Sequence, residues 1–481
     1  MLFVNTPSSI RVIKHDLKLV QNNVTDSIDL AKTRWSAFQA AWINKMRFTP
    51  KEAWKGVKIL VGGKESHHVK PVFMILCLPS GDLASNDVQN ASVMVPHLSK
   101  VYSNHRPVTW EVTNGIEQRY TVPDIDHSIK WEEIKLAIAK LANEKSPGLN
   151  DVPPDAFKAL SNQNIDILLT FYNTYWKGNI DFDEWNEGRV IPVPKSGDLG
   201  DPNKWRGVTL MDMGSKIFSS ILCTRLFKII KLHGVKYQFV STPGVGCQDG
   251  SFTIKTLLRL RHTHNLPTWV LFADLVKAFN TSNHVRNIKV LRRYGCPPNL
   301  RSAIERMYKN SIVRLKIGKA DTTIPFKVGV KQGDSMAPVL FLYLIMGFAE
   351  TLEKEWEKNG LHKLQFRSHD NSPQSAGRLT SHPKKYFSEG TPSSHFCMLY
   401  VDNGAFAFQS QKELELGSSV IRDQFNKFAL QMHVGTPSKA SKTEAVIFPQ
   451  PGFFKLPTPP PPLHSPPHHS HSYPNPHRKA N

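Results

Sequence analysis

Residues 396–408, Phe-Cys-Met-Leu-Tyr-Val-Asp-Asn-Gly-Ala-Phe-Ala-Phe, are two apolar, strand-forming runs that meet at an acidic turn. Asn-Gly between such runs is the strongest short-range hairpin signal, so Asn403-Gly404 predicts a tight turn with Asp402 at its tip. A carboxylate on a rigid tip suits metal-dependent phosphoryl chemistry, yet one carboxylate cannot hold two divalent ions. The best partner lies in residues 268–279, Thr-Trp-Val-Leu-Phe-Ala-Asp-Leu-Val-Lys-Ala-Phe, where a second hydrophobic strand ends in a lone acid. Asp274 and Asp402 are the candidate metal pair.

Bulk properties narrow what such a pair serves. The 481 residues have room for two or three domains. With 61 Lys and Arg against 40 Asp and Glu, the net charge is +21. Cations recur along the body at Arg259, Arg261, Lys289, Arg292, Arg293, Arg301 and Arg306. A polyanionic partner explains that distribution better than solubility does, because neutralised phosphates release counterions. Cys77, Cys223, Cys247, Cys296 and Cys397 are scattered with no Cys-x-x-Cys spacing, which points to a reducing compartment and away from a zinc knuckle. No basic-then-apolar leader opens the chain, and the longest apolar run, residues 336–349, falls short of the roughly 20 residues a span needs. The expectation is a soluble intracellular protein that does not enter membranes.

Along the chain, residues 1–125 carry Trp35, Trp42, Trp54 and a strand candidate at 70–78, and leave their fold unassigned. Ile134, Leu136, Ile138 and Leu141 predict a helix with an apolar side, broken at 145–151. Further helices are expected at 165–176 and 215–231, with a short strand at 190–193 between them. Residues 365–395, rich in Ser, Gly, Pro, His and Lys, read as a surface insertion. From 451 onward Pro, His and Ser dominate, and such a tail lacks the apolar residues that offset ordering entropy.

Five motif segments in one order carry a resemblance. Residues 272–280 are similar to the Phe-x-Asp-Leu-x-Lys-Ala-Phe-Asp motif of reverse transcriptases of non-LTR (LINE-like) retrotransposons, and residues 400–403 to their Tyr/Phe-x-Asp-Asp motif. Residues 328–341, Val-Gly-Val-Lys-Gln-Gly-Asp-Ser-Met-Ala-Pro-Val-Leu-Phe, resemble the Gly-x-x-Gln-Gly element that precedes Ser/Ala-Pro-x-Leu-Phe. Residues 190–198 and 203–210 resemble the fingers segment read Ile-Pro-Lys, then Tyr-Arg-Pro-Ile-Ser-Leu. The resemblance covers roughly residues 130–450. It implies an α+β fold of right-hand polymerase type, with fingers over 126–270 and palm over 271–450, between a mixed amino-terminal region and a disordered Pro/His-rich tail at 451–481. No endonuclease is expected in 1–125, and the tail stands where a thumb would follow.

The resemblance implies RNA-directed DNA polymerase activity, with an RNA template, a DNA primer and deoxynucleoside triphosphates as partners. Asp274, the Leu275 carbonyl and Asp402 would hold Mg2+ (or Mn2+), hard cations that take oxygen ligands. Lys195, Arg206 and Lys442 would meet the triphosphate, Phe279 would exclude a ribose 2′-hydroxyl, and Gln332 and Gly333 would lie along template and incoming base. Nuclear action is implied by the same lifestyle. Two positions depart from the family: Asn403 and Asn280 stand where the motifs have Asp. Losing a charge about 4 Å from the metals costs on the order of a few kcal/mol, roughly a hundredfold or more in rate. Two readings stay open, an active polymerase impaired by Asn403 and a catalytically inactive nucleic-acid-binding relative.

Overall fold

The computed structural model describes residues 74–107, 109–234, 238–239, 246–368, 391–436 and 440–450. Residues 1–73, the middle of the expected insertion and the carboxyl tail lie outside them.

Helices begin where a side chain takes up their free amides. Asn86 accepts from the Gln89 N–H at the start of α1 (Asp87–Ser103). Glu133 reaches back to the Lys130 N–H at the start of α2 (Trp131–Ala139). Pro154, with its preset φ, opens α3 (Pro154–Lys158). Ser161 caps α4 (Asn162–Trp176), Asp212 caps α5 (Met213–His233), and Asp249 reaches back at α6 (Cys247–Thr263). Asn283 caps α7 (His284–Arg293), Pro298 opens α8 (Pro298–Tyr308), and α9 (Ala337–Lys358) follows. Ser410 caps α10 (Gln411–Lys427). Three of these match expected helices, since the apolar spacing was helical. Leu136, however, is 52% exposed rather than on the apolar side of α2.

Two four-stranded sheets pair with these helices. The first joins β1 (Glu187–Pro194), β2 (Trp205–Met211), β4 (Ile312–Ile317) and β5 (Ala320–Pro325) in the order β2-β1-β4-β5. The second takes β3 (Thr268–Asp274), β8 (Cys397–Tyr400), β9 (Asn403–Phe408) and β10 (Glu444–Phe448) in the antiparallel order β10-β3-β9-β8. A ribbon of β6 (Leu364–Ser368) and β7 (Thr391–His395) forms the base of the expected insertion. The strand expected at 70–78 is absent from its described part. Gly81, at φ +92°, turns the chain back after a single bridge between Cys77 and Leu83.

Helix α9 links the two sheets into one arrangement. Its Val339, Leu342, Tyr343 and Met346 pack in the core beneath β1, β4 and β5, where Val190, Val313 and Ile324 also lie. Its Phe341, Phe348, Leu352 and Trp356 belong to the core beneath β3 and β9, with Leu271, Phe406 and Phe408. A helix buried on both sides must be apolar all round, which accounts for the run at 336–349. No described helix is long and apolar enough to cross a membrane.

Some cations turn out to serve packing. Arg306, expected in a nucleic-acid-facing series, donates from Nη2 to the carbonyls of Tyr175 (2.6 Å) and Trp176 (3.2 Å). It thereby fills acceptors left open at the end of α4. Arg225 is fully buried and pairs with Glu133 at 2.6 Å, pinning α5 to α2.

Candidate active site

The hairpin tip forms as expected, but with different turn residues. Tyr400 pairs with Asn403 and Leu399 with Gly404, so the two-residue loop is Val401-Asp402 while Asn403 and Gly404 belong to β9. The β9 ladder continues onto β3, where Asn403 faces Asp274 and Gly404 faces Ala273. Two neighbouring strands thus claim Asn403-Gly404, and the turn moves back by two residues. Val401 takes φ +55°, at a turn position where glycine is favoured. Holding a β-branched residue there costs on the order of 1–3 kcal/mol and fixes the attitude of Asp402.

Asp274 ends β3 in a web of backbone bonds. Its N–H donates to Thr443 Oγ1 at 3.3 Å, and its carbonyl accepts from the His433 N–H at 2.7 Å. Lys442 Nζ lies 3.6 Å from Asp274 Oδ2. Burial pushes the Asp402 carboxyl above its usual range, the nearby Asp274 charge adds to the rise, and Arg206 and Lys442 oppose it. Leu275 forms an antiparallel bridge with Met432, flanked by the bonds Val276 N–H to Gln431 O and His433 N–H to Asp274 O. In that kind of pair Leu275 turns its own carbonyl away from the partner. Two carboxylates and a carbonyl would make an all-oxygen set of the kind that suits Mg2+ or Mn2+; magnesium commonly takes one or two protein carboxylates and completes its shell from phosphates. Among the described residues no group of three or more His, Cys, Asp or Glu could hold a metal ion. At the remaining position Asn403 Nδ2 donates to Asp402 Oδ1 at 3.4 Å.

The β1–β2 hairpin brings cations to this pair. Val193 pairs with Arg206, and the Lys195 N–H donates to the Lys204 carbonyl at 2.7 Å. Burial lowers the Lys195 pKa, followed by the charges of Arg206 and Lys442, so the three cations lie within one field. Lys277 joins them although the motif reading passed over it. It sits at φ +50°, donates to Asn203 Oδ1 at 2.9 Å, and has its pKa lowered first by burial and then by Lys195. Its signal was its place three residues after Asp274. Such a concentration of positive charge beside two carboxylates suits a polyphosphate.

The Gln332 element packs against this hairpin. The Gln332 carbonyl accepts from the Thr209 N–H at 2.6 Å, and its Nε2 donates to Asn280 Oδ1 at 3.0 Å, so Asn280 keeps an acceptor role. Gly333 has φ +121°, and a Cβ there would meet the Thr209 carbonyl oxygen at 2.3 Å, so only glycine fits. Phe279 stacks on Phe341, with ring centroids 4.7 Å apart.

Beneath the same element lies a pair that the sequence did not announce. Lys331 and Asp334 are buried, at 1% and 4% exposure, and Lys331 Nζ donates to the carbonyls of Asn186 and Met307. Burial pushes the Lys331 pKa down to about 8, against the pull of Asp334. Its folded pKa is thus below its unfolded value, so the unfolded chain binds more protons above pH 8. Stability from this group therefore rises with pH until the unfolded lysine titrates. Between pH 7.5 and 9.5 the chain should gain about 1–2 kcal/mol relative to Lys331→Met, as read by denaturant unfolding of both proteins.

Residues 193–448 match the family described as reverse transcriptase (RNA-dependent DNA polymerase). The chain is 25% identical over 271 residues to the retrovirus-related Pol polyprotein from type-2 retrotransposable element R2DM of Drosophila melanogaster, covering 55% of this chain and 24% of that protein. It is 28% identical over 159 residues to the Pol polyprotein from type-1 retrotransposable element R2 of Popillia japonica, covering 33% and 22%. Over 280 residues it is 24% identical to the probable RNA-directed DNA polymerase from transposon BS of Drosophila melanogaster, covering 55% and 30%. The matched stretch is thus less than a third of each relative's length.

Proposed function

Because the chain belongs to the reverse transcriptase family, and to its non-LTR retrotransposon kind, we propose that it carries out RNA-directed DNA synthesis. The reaction transfers a deoxynucleotide from its triphosphate to the 3′-hydroxyl of a DNA primer on an RNA template. The observation that carries this is the β3–β9 register, in which the end of β3 at Asp274 meets the strand that begins just after Asp402. In this reading the β10-β3-β9-β8 sheet is the palm and the β1–β2 hairpin belongs to the fingers, with the division near residue 270; β4 and β5, from beyond that division, complete the sheet of the hairpin. Nuclear action is part of the same proposal.

Asp274, the Leu275 carbonyl and Asp402 would hold Mg2+ or Mn2+, which when bound stabilises charge on the entering and leaving oxygens. Lys195, Lys277 and Lys442 neutralise triphosphate oxygens as point charges, while Arg206 offers a planar fork. Gln332 and Gly333 present backbone to template and incoming base. Phe279, backed by Phe341, forms a wall against a ribose 2′-hydroxyl. Phe279→Val should therefore raise ribonucleotide use relative to deoxynucleotides by on the order of tenfold, measured as the ratio of kcat/KM values. The proposal is tested by incorporation of dTTP, but not dATP, on oligo(dT)-primed poly(A), with loss of incorporation in Asp274→Asn. Incorporation that survives Asp274→Asn overturns it.

One observation favours a second reading. The neutral Asn403 amide donates to Asp402, which weakens that carboxylate as a ligand. A chain that binds primed RNA yet incorporates nothing would support a catalytically inactive nucleic-acid-binding protein.

A further inference from the structure

We propose that the turn at Trp110–Gly115 and the outer face of α7 form a second nucleic-acid contact, which takes a single-stranded segment with a base on Trp110 and phosphates on Lys289, Arg292 and Arg293. The three cations stand at helical spacings of three and four and share one face of α7. With Trp110, Asn114 and Gln118 they line a cleft of about 400 Å³, within the ~300–1,000 Å³ of ordinary ligand sites. That cleft has no residue in common with the one beside Asp274.

Two features separate this cleft from a solvated basic face. Trp110 is 39% exposed although its neighbours Val112 and Ile116 are buried, and Lys289 Nζ lies 4.5 Å from its ring centroid. The frame is also fixed in place: Arg293 Nη2 donates to Asn114 Oδ1 at 2.8 Å, and Gln118 Nε2 to the Arg292 carbonyl at 2.9 Å. Among the described residues none of the three cations forms an ion pair, and Glu111 is the acid in the lining. A structural pin explains the Lys289–Trp110 contact but not two further cations left uncompensated. An aromatic plate beside uncompensated cations is what single-stranded nucleic acid requires, since every base has a π-face and every linkage a charge.

The test is binding of a labelled short oligouridine by the full chain across a salt series, read by fluorescence anisotropy. Trp110→Ala should weaken binding about tenfold with an unchanged salt slope. The Lys289→Gln/Arg292→Gln/Arg293→Gln variant should lower the slope by about 2, at roughly 0.7 per phosphate released. Arg292→Gln alone, at an exposed position, should lower it by roughly 0.7 and covers the case in which the triple variant does not fold. An unchanged slope in folded variants overturns the proposal. So does a loss of polyglutamate binding with oligouridine binding intact, which would assign the face to an acidic protein.

Discussion

Asn403→Asp is expected to raise primer extension roughly a hundredfold or more. Asn403 faces Asp274 across the ladder and reaches Asp402 with its amide, so a carboxylate there adds a third negative group to the pair. A unit charge about 4 Å from a divalent ion is worth on the order of a few kcal/mol at a partly exposed site. Without metal the same change adds repulsion to a cluster in which Asp402 is already pushed upward by burial and by Asp274. Mg2+ should therefore stabilise the variant against unfolding more than it stabilises the unmodified chain. Single-nucleotide incorporation rates with both proteins check the first expectation; equal rates would remove Asn403 from the account of impairment.

Arg286→Met is expected to stabilise the fold by about 1–4 kcal/mol. Arg286 lies in α7 with no exposed surface, and none of its three guanidinium nitrogens has a hydrogen-bond partner among the described residues. The contact it does make is with the Phe428 ring, 5.8 Å away. Burial pushes its pKa down to about 9, the direction expected where desolvation disfavours the charged form. A buried, uncompensated charge is among the most costly features a core can hold, and an unbranched apolar side chain fills similar space at no such cost. The denaturant midpoint should rise with an unchanged slope. A lower midpoint would mean that the guanidinium makes a bond essential to the fold.

The hairpin and the β3 strand were legible because short continuous apolar runs ending in an acid have few other uses. Asp274 and Asp402 were paired because each closes an apolar, strand-forming run, and the motif resemblance supported that choice; the ladder brings the end of β3 beside the start of β9. Turn chemistry misled: Asn403-Gly404 has strong hairpin propensity, but the ladder between β3 and β9 uses both residues as strand. Charge misled more. Arg306, placed in the nucleic-acid-facing series, is instead bonded to carbonyls of α4, and Arg225, Arg286 and Lys331, given no role in the sequence, are buried. Their burial depends on which carbonyls and rings tertiary packing brings near, and the helical period does not encode that. Lys277 was hidden for the opposite reason, standing within a recognised motif whose acid and aromatic drew the reading.

In the proposed function Asp274 and Asp402 form one metal-holding centre for nucleotide transfer. Its most direct test is extension of a DNA primer on an RNA template with Mg2+ and deoxynucleotides, comparing Asn403→Asp with Asn403→Asp/Asp402→Ala. Extension is expected from the first protein and its loss in the second, with primed RNA still bound by both. Extension that persists without the Asp402 carboxylate would contradict it.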